Sequence, residues 1–455
     1  MSLRKKYIGD REFYRKLFSV MLPVLLQNVI TNFVSLLDNI MIGVVGTEPM
    51  SGVAIVNQLN FVFNLAIFGG LSGAGIFTAQ YYGKGDEEGV RSTMRAKAWI
   101  VLAITGIAVT LFLAFGTELM SLFIHEGEDD IDLAATLMYG QKYLRIIIFQ
   151  LPLFALLNVY ASTLRETGNT ALPMRAGIIA VLVNLTFNYI LIYGKLGAPA
   201  LGVEGAAMAT VLARIVEVAF VICGSRFPGV WKTMHVPAAL AKDIARKGAP
   251  LLCNELLWSV GMTTTIQILS LKGVEVVSAE NICNTVSNLF FCAFFASGTT
   301  ITIIIGQLLG AGEFERAIEE DRKLIAFSVF FSTMVGLVMI VLAPLIPRIY
   351  NTTDMVRHLA ARFILINALM MPSNAFIHGC YFTMRSGGKV IITLLYDSVY
   401  LWILVIPVTW ILVRYSSMAV VWIYAISYFI DIFKDIAGYF LVHSHNWVRN
   451  IVDDK

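Results

Sequence analysis

Apolar residues in this chain come in long, nearly unbroken blocks, without the half-polar periodicity of a water-facing helix or strand. The blocks run near 19–45, 51–81, 95–123, 136–164, 170–193, 201–224, 249–271, 277–309, 322–349, 356–384, 389–413 and 417–442. An α-helix needs about 20 apolar residues to cross a bilayer, whereas outer-membrane strands are about ten residues long and alternate. The pattern predicts an all-α polytopic membrane protein with twelve transmembrane helices. The first block is the most informative. At ~1.5 Å per residue it makes about 40 Å of helix, with Pro23 near its start and a lone carboxylate, Asp38, in its far half. A charge in hydrocarbon costs several kcal/mol or is held neutral, so an intramembrane Asp is either a hydrogen-bonded structural group or a functional one.

The blocks repeat. At an offset of 227 residues Pro23 meets Pro250, Asn57 meets Asn284 and Gln80 meets Gln307; Gly83, Gly85 and Arg95 meet Gly310, Gly312 and Arg322. Further on the offset becomes 220, and Pro152, Arg165 and Gly168 meet Pro372, Arg385 and Gly388. The change fits an acidic outer insertion around 125–132 in the first half. Each half holds six blocks, an even number, so both enter the membrane the same way round. They are expected to be parallel six-helix repeats with a cavity between them, a transporter architecture. The expected division is an N-lobe over 1–224 with an amphipathic N-terminus, a polar cytoplasmic linker over 225–246, and a C-lobe over 247–455.

Composition sharpens this picture. Of the 455 residues 57% are hydrophobic and only 14% charged, with mean hydropathy +0.74, against roughly 25% charged in a soluble domain. With both termini inside, Lys and Arg favour the inner ends by about three to one, which sets the orientation. The net charge of +3 names no partner, and no basic tract suggests nucleic acid. The first apolar block is too long for a signal-peptide core and lacks a small-residue cleavage site, so no cleavage is expected. The five cysteines all fall in apolar blocks and form no CxxC, as expected of reduced packing residues.

Candidate chemistry is sparse. Asp38 is the first candidate, as a protonatable or cation-binding group. Asn184 and Asn188 stand at i, i+4 on one helix face, where their amide oxygens either ligate a hard cation without adding charge or hydrogen-bond between helices. Glu255 is a second buried carboxylate, and Asn254, Glu255, Trp258 and Asn284 are candidates to line the cavity, Trp258 by stacking on a cation. Asp397 is a weaker case of the same kind. His378, the repeat partner of Asn158, reads as a hydrogen-bonded interior residue more readily than as a proton relay. Arg214 with Glu217, and Asp431 with Lys434 and Asp435, read as satisfied pairs. Gly83-Lys84-Gly85-Asp86 matches the GxGD of intramembrane proteases. Its repeat partner Gly310-Ala311-Gly312-Glu313 makes it a helix C-cap followed by an acidic helix start. There is no HExxH, no P-loop and no paired catalytic His, so no enzymatic activity and no cofactor are expected.

Several motifs together resemble one family. Pro23 followed by Asp38-Asn39-x-x-Ile42-Gly43, Asn184-x-x-x-Asn188-x-x-x-Ile192-x-Gly194, Gly202-x-x-Gly205-Ala206-Ala207-x-Ala209-Thr210, and Leu164-Arg165 before Gly168-Asn169-Thr170 are similar to elements of the multidrug and toxic compound extrusion (MATE) transporters. The resemblance covers essentially the whole chain. It implies two six-helix lobes in a V around a central cavity, exporting amphipathic, often cationic organic compounds in exchange for H⁺ or Na⁺. It also implies a cation or proton site, possible for Na⁺, at Asp38, Asn184, Asn188 and Thr210. Asn188 stands where several members have Asp, and Asn374 where some place one. Asn374, His378 and Asp397 join Asn254, Glu255, Trp258 and Asn284 as the expected substrate cavity. The expected protein is a monomer in the bacterial inner membrane, among membrane lipid, with small organic substrates and both termini cytoplasmic. The alternative is a lipid-linked saccharide flippase of the same superfamily. Such proteins tend to have strongly cationic cavities and often fourteen spans, whereas the interior acids here favour a cationic or neutral substrate.

Overall fold

The computed structural model describes residues 7–121, 132–227, 229–350 and 352–453, and within them the backbone is helix, turn or loop with no strand. The acidic insertion at 125–132, apart from Asp132, and the side chain of Asn39 lie outside the described residues. The helices are α1 Arg11–Gly43, α2 Thr47–Lys84, α3 Glu87–Ser121, α4 Leu133–Ile147, α5 Gln150–Glu166, α6 Ala171–Tyr193 and α7 Val203–Gly224. After the linker come α8 Ala238–Ser270, α9 Val274–Gly310, α10 Phe314–Leu342, α11 Asp354–Ser386, α12 Val390–Tyr415, α13 Val420–Phe429 and α14 Ile432–His443. In α12 the turns widen to π-helix over Leu395–Val399 and Leu401–Val405.

Among the described residues every expected block is mainly helical, but the blocks are not equally fit to span a membrane. Among the described residues nine helices are long and apolar enough, or ten if α4 and α5, bent by 48°, form one span. The expected twelve would also require α8 and the α13–α14 pair. Along its apolar stretch α8 carries Asn254, Glu255, Thr263, Thr264, Thr265 and Gln267. Neither α13 (10 residues) nor α14 (12 residues) is long enough alone.

Helix ends reproduce the repeat in hydrogen bonds. At the end of α2 the Asp86 N–H donates to Tyr81 O (2.9 Å) and Gly85 N–H to Tyr82 O (3.0 Å); at the end of α9, 227 residues on, Glu313 donates to Leu308 O (3.0 Å) and Gly312 to Leu309 O (3.2 Å). Gly85 (φ +80°) and Gly312 (φ +76°) supply the left-handed residue that such a cap requires. The Gly-x-Gly-acid element is thus a helix stop, as its spacing predicts. The ends of α5 and α11 match likewise. Asn169 N–H donates to Leu164 O (2.8 Å), and Lys389 N–H to Met384 O (3.1 Å).

The chain divides into two compact units. One comprises Leu26–Gly75 and Glu88–Lys242, and is called here the first unit. The second comprises Met1–Leu25, Ile76–Glu87 and Asp243–Lys455, so α1 and α2 each contribute to both. The first unit packs around Phe63, Ile67, Met94, Leu151, Val159 and Val221, with a further cluster around Val56, Tyr143, Ile147 and Ala207. The second packs around Ile304, Leu308, Tyr381 and Trp447, and around Cys283, Phe363, Ile364 and Tyr424. Within the second unit the ends of α2 and α9 cross. A Cβ on Gly83 would strike the Gln307 backbone carbonyl, and one on Gly310 that of Gln80. These are repeat-related contacts made reciprocally, as a local two-fold axis demands. The C-terminal segment binds the same place. Gln80 Nε2 donates to Ser386 O (3.1 Å) and Arg449 O (3.2 Å), and Ile451 N–H donates to Gln80 Oε1 (2.8 Å).

Candidate functional site

Asp38 lines a cavity of about 430 Å³ in the first unit, together with Asn184, Asn188 and Thr210. On α6 the i, i+4 spacing brings the two asparagines together, and both are buried. Asn188 Nδ2 donates to Asp38 Oδ1 at 2.6 Å and to Asn184 Oδ1 at 3.0 Å. Asn184 Nδ2 in turn donates to Thr210 Oγ1 at 3.3 Å, and that hydroxyl donates to Ala206 O at 3.0 Å. All four sequence-predicted residues therefore form one hydrogen-bonded chain from α1 through α6 to α7. The Asn188 Oδ1 atom is buried with no partner, and an orphaned acceptor in such a place is costly. One turn on, Tyr193 OH donates to Met41 O at 2.9 Å, so α6 holds α1 at Asp38 and again just beyond it.

The cavity also contains residues that were not singled out for this site. Asn57, Asn60 and Asn64 line it from α2, and their i, i+3, i+7 spacing is a one-face signal the sequence does contain. Tyr143 and Gln150 line it from α4 and α5. Arg214 and Glu217 line it too, bonded at 2.5 Å as their i, i+3 spacing suggests, with the guanidinium 5.2 Å from the Phe154 ring. Deeper in the unit, Lys97 is fully buried against Glu166 and donates to Thr163 Oγ1 at 3.1 Å. Among the described residues no three His, Cys, Asp or Glu side chains cluster closely enough to hold a metal ion. A cation here would depend on one carboxylate and neutral oxygens.

The seven residues expected to line a substrate cavity lie in the second unit, in separate groups. Asn254 Nδ2 donates to Asp397 Oδ2 (3.1 Å) and Tyr381 OH (3.3 Å), while Ser398 Oγ donates to Asn254 Oδ1 (2.7 Å). Asp397 sits in the π-helical turn of α12 and accepts from Lys434 Nζ at 3.1 Å. Lys434 was expected to pair with Asp431 and Asp435. Its hydrogen-bonded partner is Asp397 instead, because α14 starts afresh after the break at α13, and Asp435 bonds Ser373 Oγ (2.6 Å). Glu255 feels the charges of Asp397 and Arg385. Trp258 packs against the Phe363–Tyr424 core. His378 Nδ1 donates to Asn374 O (3.0 Å), with its ring 4.5 Å from Phe294 and 5.2 Å from Phe295, an interior packing role.

Asn284 hydrogen-bonds a residue that was not singled out at all, Glu280. This carboxylate is 3% exposed and belongs to a network in which Asn367 Nδ2 donates to Ser287 Oγ (2.9 Å) and Tyr424 OH donates to Asn367 Oδ1 (3.4 Å). An acid four residues before Asn284, on one face of a long apolar helix, is the signal that would have found it. Of the five cysteines, all free, Cys283, Cys292 and Cys380 are buried, and Cys223 and Cys253 are exposed.

Comparison with known proteins covers most of the chain. The family model described as MatE matches residues 23–190 and again 250–411, once per repeat. The chain is 26% identical over 428 residues to the probable multidrug resistance protein NorM of Thermotoga maritima, covering 92% of this chain and 90% of that one. It is 25% identical to the probable multidrug resistance protein YoeA of Bacillus subtilis, covering 90% and 89%. Among solved structures, a mutant of the Vibrio cholerae MATE transporter VcmN superposes with TM-score 0.82 at 18% identity, covering 96% of this chain and 98% of that one. An outward-facing multidrug resistance MATE family transporter of the MOP superfamily gives TM-score 0.83 at 16% identity, covering 98% and 99%. Such identities speak for the fold, and the family model speaks for descent. With both of its halves matched in register, the chain belongs to the MatE family.

Proposed function

We propose that this protein is a secondary active multidrug exporter of the bacterial inner membrane, antiporting amphipathic, often cationic organic compounds against H⁺ or Na⁺. The observation that carries the reading is the chain Asp38–Asn188–Asn184–Thr210 on the wall of the first-unit cavity. Carboxylate, amide and hydroxyl oxygens are the donors a hard cation takes, and the orphaned Asn188 Oδ1 is one such donor without an assigned partner. A proton on Asp38 would use the same position, turning an oxygen that only accepts into one that donates. Either occupant changes how α6 holds α1. In this reading the lobes 1–224 and 247–455, joined by 225–246, alternate between two packings, with the segment by Gly43 closer to Asp38 than Pro23 as the place that bends. An ion shifts such an equilibrium only by its differential affinity for the two states.

Substrate charge follows from the cavity's acids. Asp38 and Glu217 face it, and the Arg214 that also lines it is paired with Glu217, which suits cationic or neutral compounds better than pyrophosphate-linked lipids. In the second unit the Lys434–Asp397 pair offsets the charge of Asp397, and Glu255 and Glu280 are further acids open to substrate or ion contact. The protein is proposed to work as a monomer with both termini in the cytoplasm.

The test is ethidium efflux from proteoliposomes under imposed Na⁺ or proton gradients. Wild type should pump uphill and stop when the driving gradient collapses, and Asp38→Asn should lose uphill transport. An Asp38→Asn protein that still concentrates dye at the wild-type rate ends this mechanism. Flux indifferent to gradient collapse would make the protein a passive pore.

A further inference from the structure

The two units treat one repeat-related slot differently. In the first unit, linker backbone occupies it: Arg95 Nε donates to Val230 O (2.8 Å), Arg95 Nη1 to Glu88 Oε1 (2.7 Å), and Trp99 Nε1 to Met234 O (3.1 Å). Val230 is 2% exposed, and Trp231 anchors the turn through Tyr160 OH (2.6 Å). In the second unit the mates of Arg95 and Trp99, 227 residues on, are Arg322 and Ala326, and both line a cavity of about 370 Å³. The chain leaving α14 does not fill it, because residues 449–451 are bound at Gln80 instead. Among the described residues the Arg322 side chain makes no hydrogen bond or ion pair, whereas that of Arg95 makes two hydrogen bonds. The loss of an indole at Ala326 leaves the room.

The lining combines charge and hydrocarbon. Arg322, His443 and His445 line it together with Val329 and Phe376. From Arg322 to Val329 is seven residues of one face of α10, about 11 Å of helix. The neighbouring face of α10 is open, with Phe330 61% and Leu337 51% exposed, as a bilayer-facing surface would be. One carboxylate, Asp321, also lines the cavity, but it is 1% exposed and its Oδ1 accepts from Thr383 Oγ1 at 2.5 Å. His445 Nδ1 is buried without a partner. Burial, then His443 and Arg322, hold the His445 imidazole below its ordinary pKa. Tyr7 and Tyr439 add hydroxyls to the lining.

We infer that this cavity is a binding site for an anionic phospholipid of the inner leaflet, its phosphate on Arg322 and the two histidines and an acyl chain along Val329 and Phe376. The phosphate takes the place that linker carbonyls take in the first unit. Basic pockets between transmembrane helices on the cytoplasmic side are suited to such headgroups. The inference does not depend on which ion Asp38 couples.

Native mass spectrometry of the purified full chain in detergent tests it, with phosphatidylglycerol and phosphatidylcholine as probes. Wild type should retain phosphatidylglycerol selectively. Arg322→Gln should lose at least fivefold of that retention with phosphatidylcholine adducts unchanged, and Arg322→Lys should keep part of it. Ala326→Trp, which installs the first unit's side chain, should block the site by volume without removing a charge, and it decides the matter if Arg322→Gln does not fold. Equal retention of the two lipids, undiminished phosphatidylglycerol in a folded Ala326→Trp protein, or displacement of the lipid by inorganic phosphate at equal concentration would overturn the proposal. The last result would assign the site to a soluble anion.

Discussion

Asn188 donates through one amide nitrogen to both Asp38 and Asn184, and its own oxygen is buried with nothing to accept from. That geometry makes it the most sensitive position of the first-unit site. Removing the amide in Asn188→Ala deletes a hydrogen bond to a carboxylate, worth about 1.5–3 kcal/mol. Ion affinity in gradient-driven efflux should fall by about tenfold or more. Asn188→Asp instead adds a second carboxylate at the position where several MATE members have one. If Na⁺ is the coupling ion, the Na⁺ concentration giving half-maximal ethidium efflux should drop in this variant. An unchanged Na⁺ dependence in both variants would remove Asn188 from the site. The asparagine pair, unlike the acid, adds no charge of its own, so any ion held here is neutralised by Asp38 alone.

Helices in this fold are arranged by their ends as much as by their apolar faces. The caps at Asp86 and Glu313 use the same hydrogen bonds 227 residues apart, and three residues inside them Gly83 and Gly310 let α2 and α9 approach to backbone contact. Within a membrane there is little hydrophobic gain from bringing helices together, and small residues that allow close packing supply the attraction instead. Gly83→Ala and Gly310→Ala should therefore each destabilise the second unit by about 1–3 kcal/mol through overpacking. The double variant should be worse than either, because the two glycines share one crossing. Thermal unfolding in detergent checks this, and a wild-type midpoint for Gly83→Ala would show that the crossing yields without cost. The π-helical turns of α12 have a different effect. They carry Asp397 and Ser398 toward Asn254, and the buried Lys434 toward which Asp397 points belongs to a helix that restarts after a break.

At the scale of the chain, the two repeats share motifs but not surroundings. The segment after α7 folds back onto Arg95 and Trp99, while the segment after α14 runs to Gln80 and Gly310, with Asn450 Nδ2 donating to Gly310 O at 3.2 Å. Trp447 is 1% exposed on the way. Deleting residues 446–455 would remove that indole and leave the Gln80 amide short of partners. Losing a buried tryptophan costs about 3–5 kcal/mol, so the truncated protein should show a clearly lowered midpoint of thermal unfolding. Asp453→Asn, which touches only the half-exposed pair with Lys84 and an exposed hydrogen bond from Asn450 Nδ2, should be near neutral. A truncated protein as stable as the full chain would reduce the tail to decoration.

Much of this was legible in residue order. Block lengths, offsets of 227 and 220, and the Gly-x-Gly-acid stops are local properties, and helix formation, capping and pairing at i, i+4 depend on neighbours in sequence. So the all-α fold, the repeat, the helix stop at Gly85 and the meeting of Asn184 with Asn188 could all be anticipated. Asp38 stood out because a charge in an apolar block is conspicuous. What the order of residues could not decide is what each side chain meets on the other helices. That Lys434 serves Asp397, that Asn57, Asn60, Asn64 and Tyr143 face Asp38's cavity, that Glu280 anchors a tyrosine network, and that Arg95 is satisfied while Arg322 is not, are outcomes of helix rotation and packing. Rotation about a helix axis changes no local energy in an almost uniformly apolar segment, so only the assembled bundle could choose it.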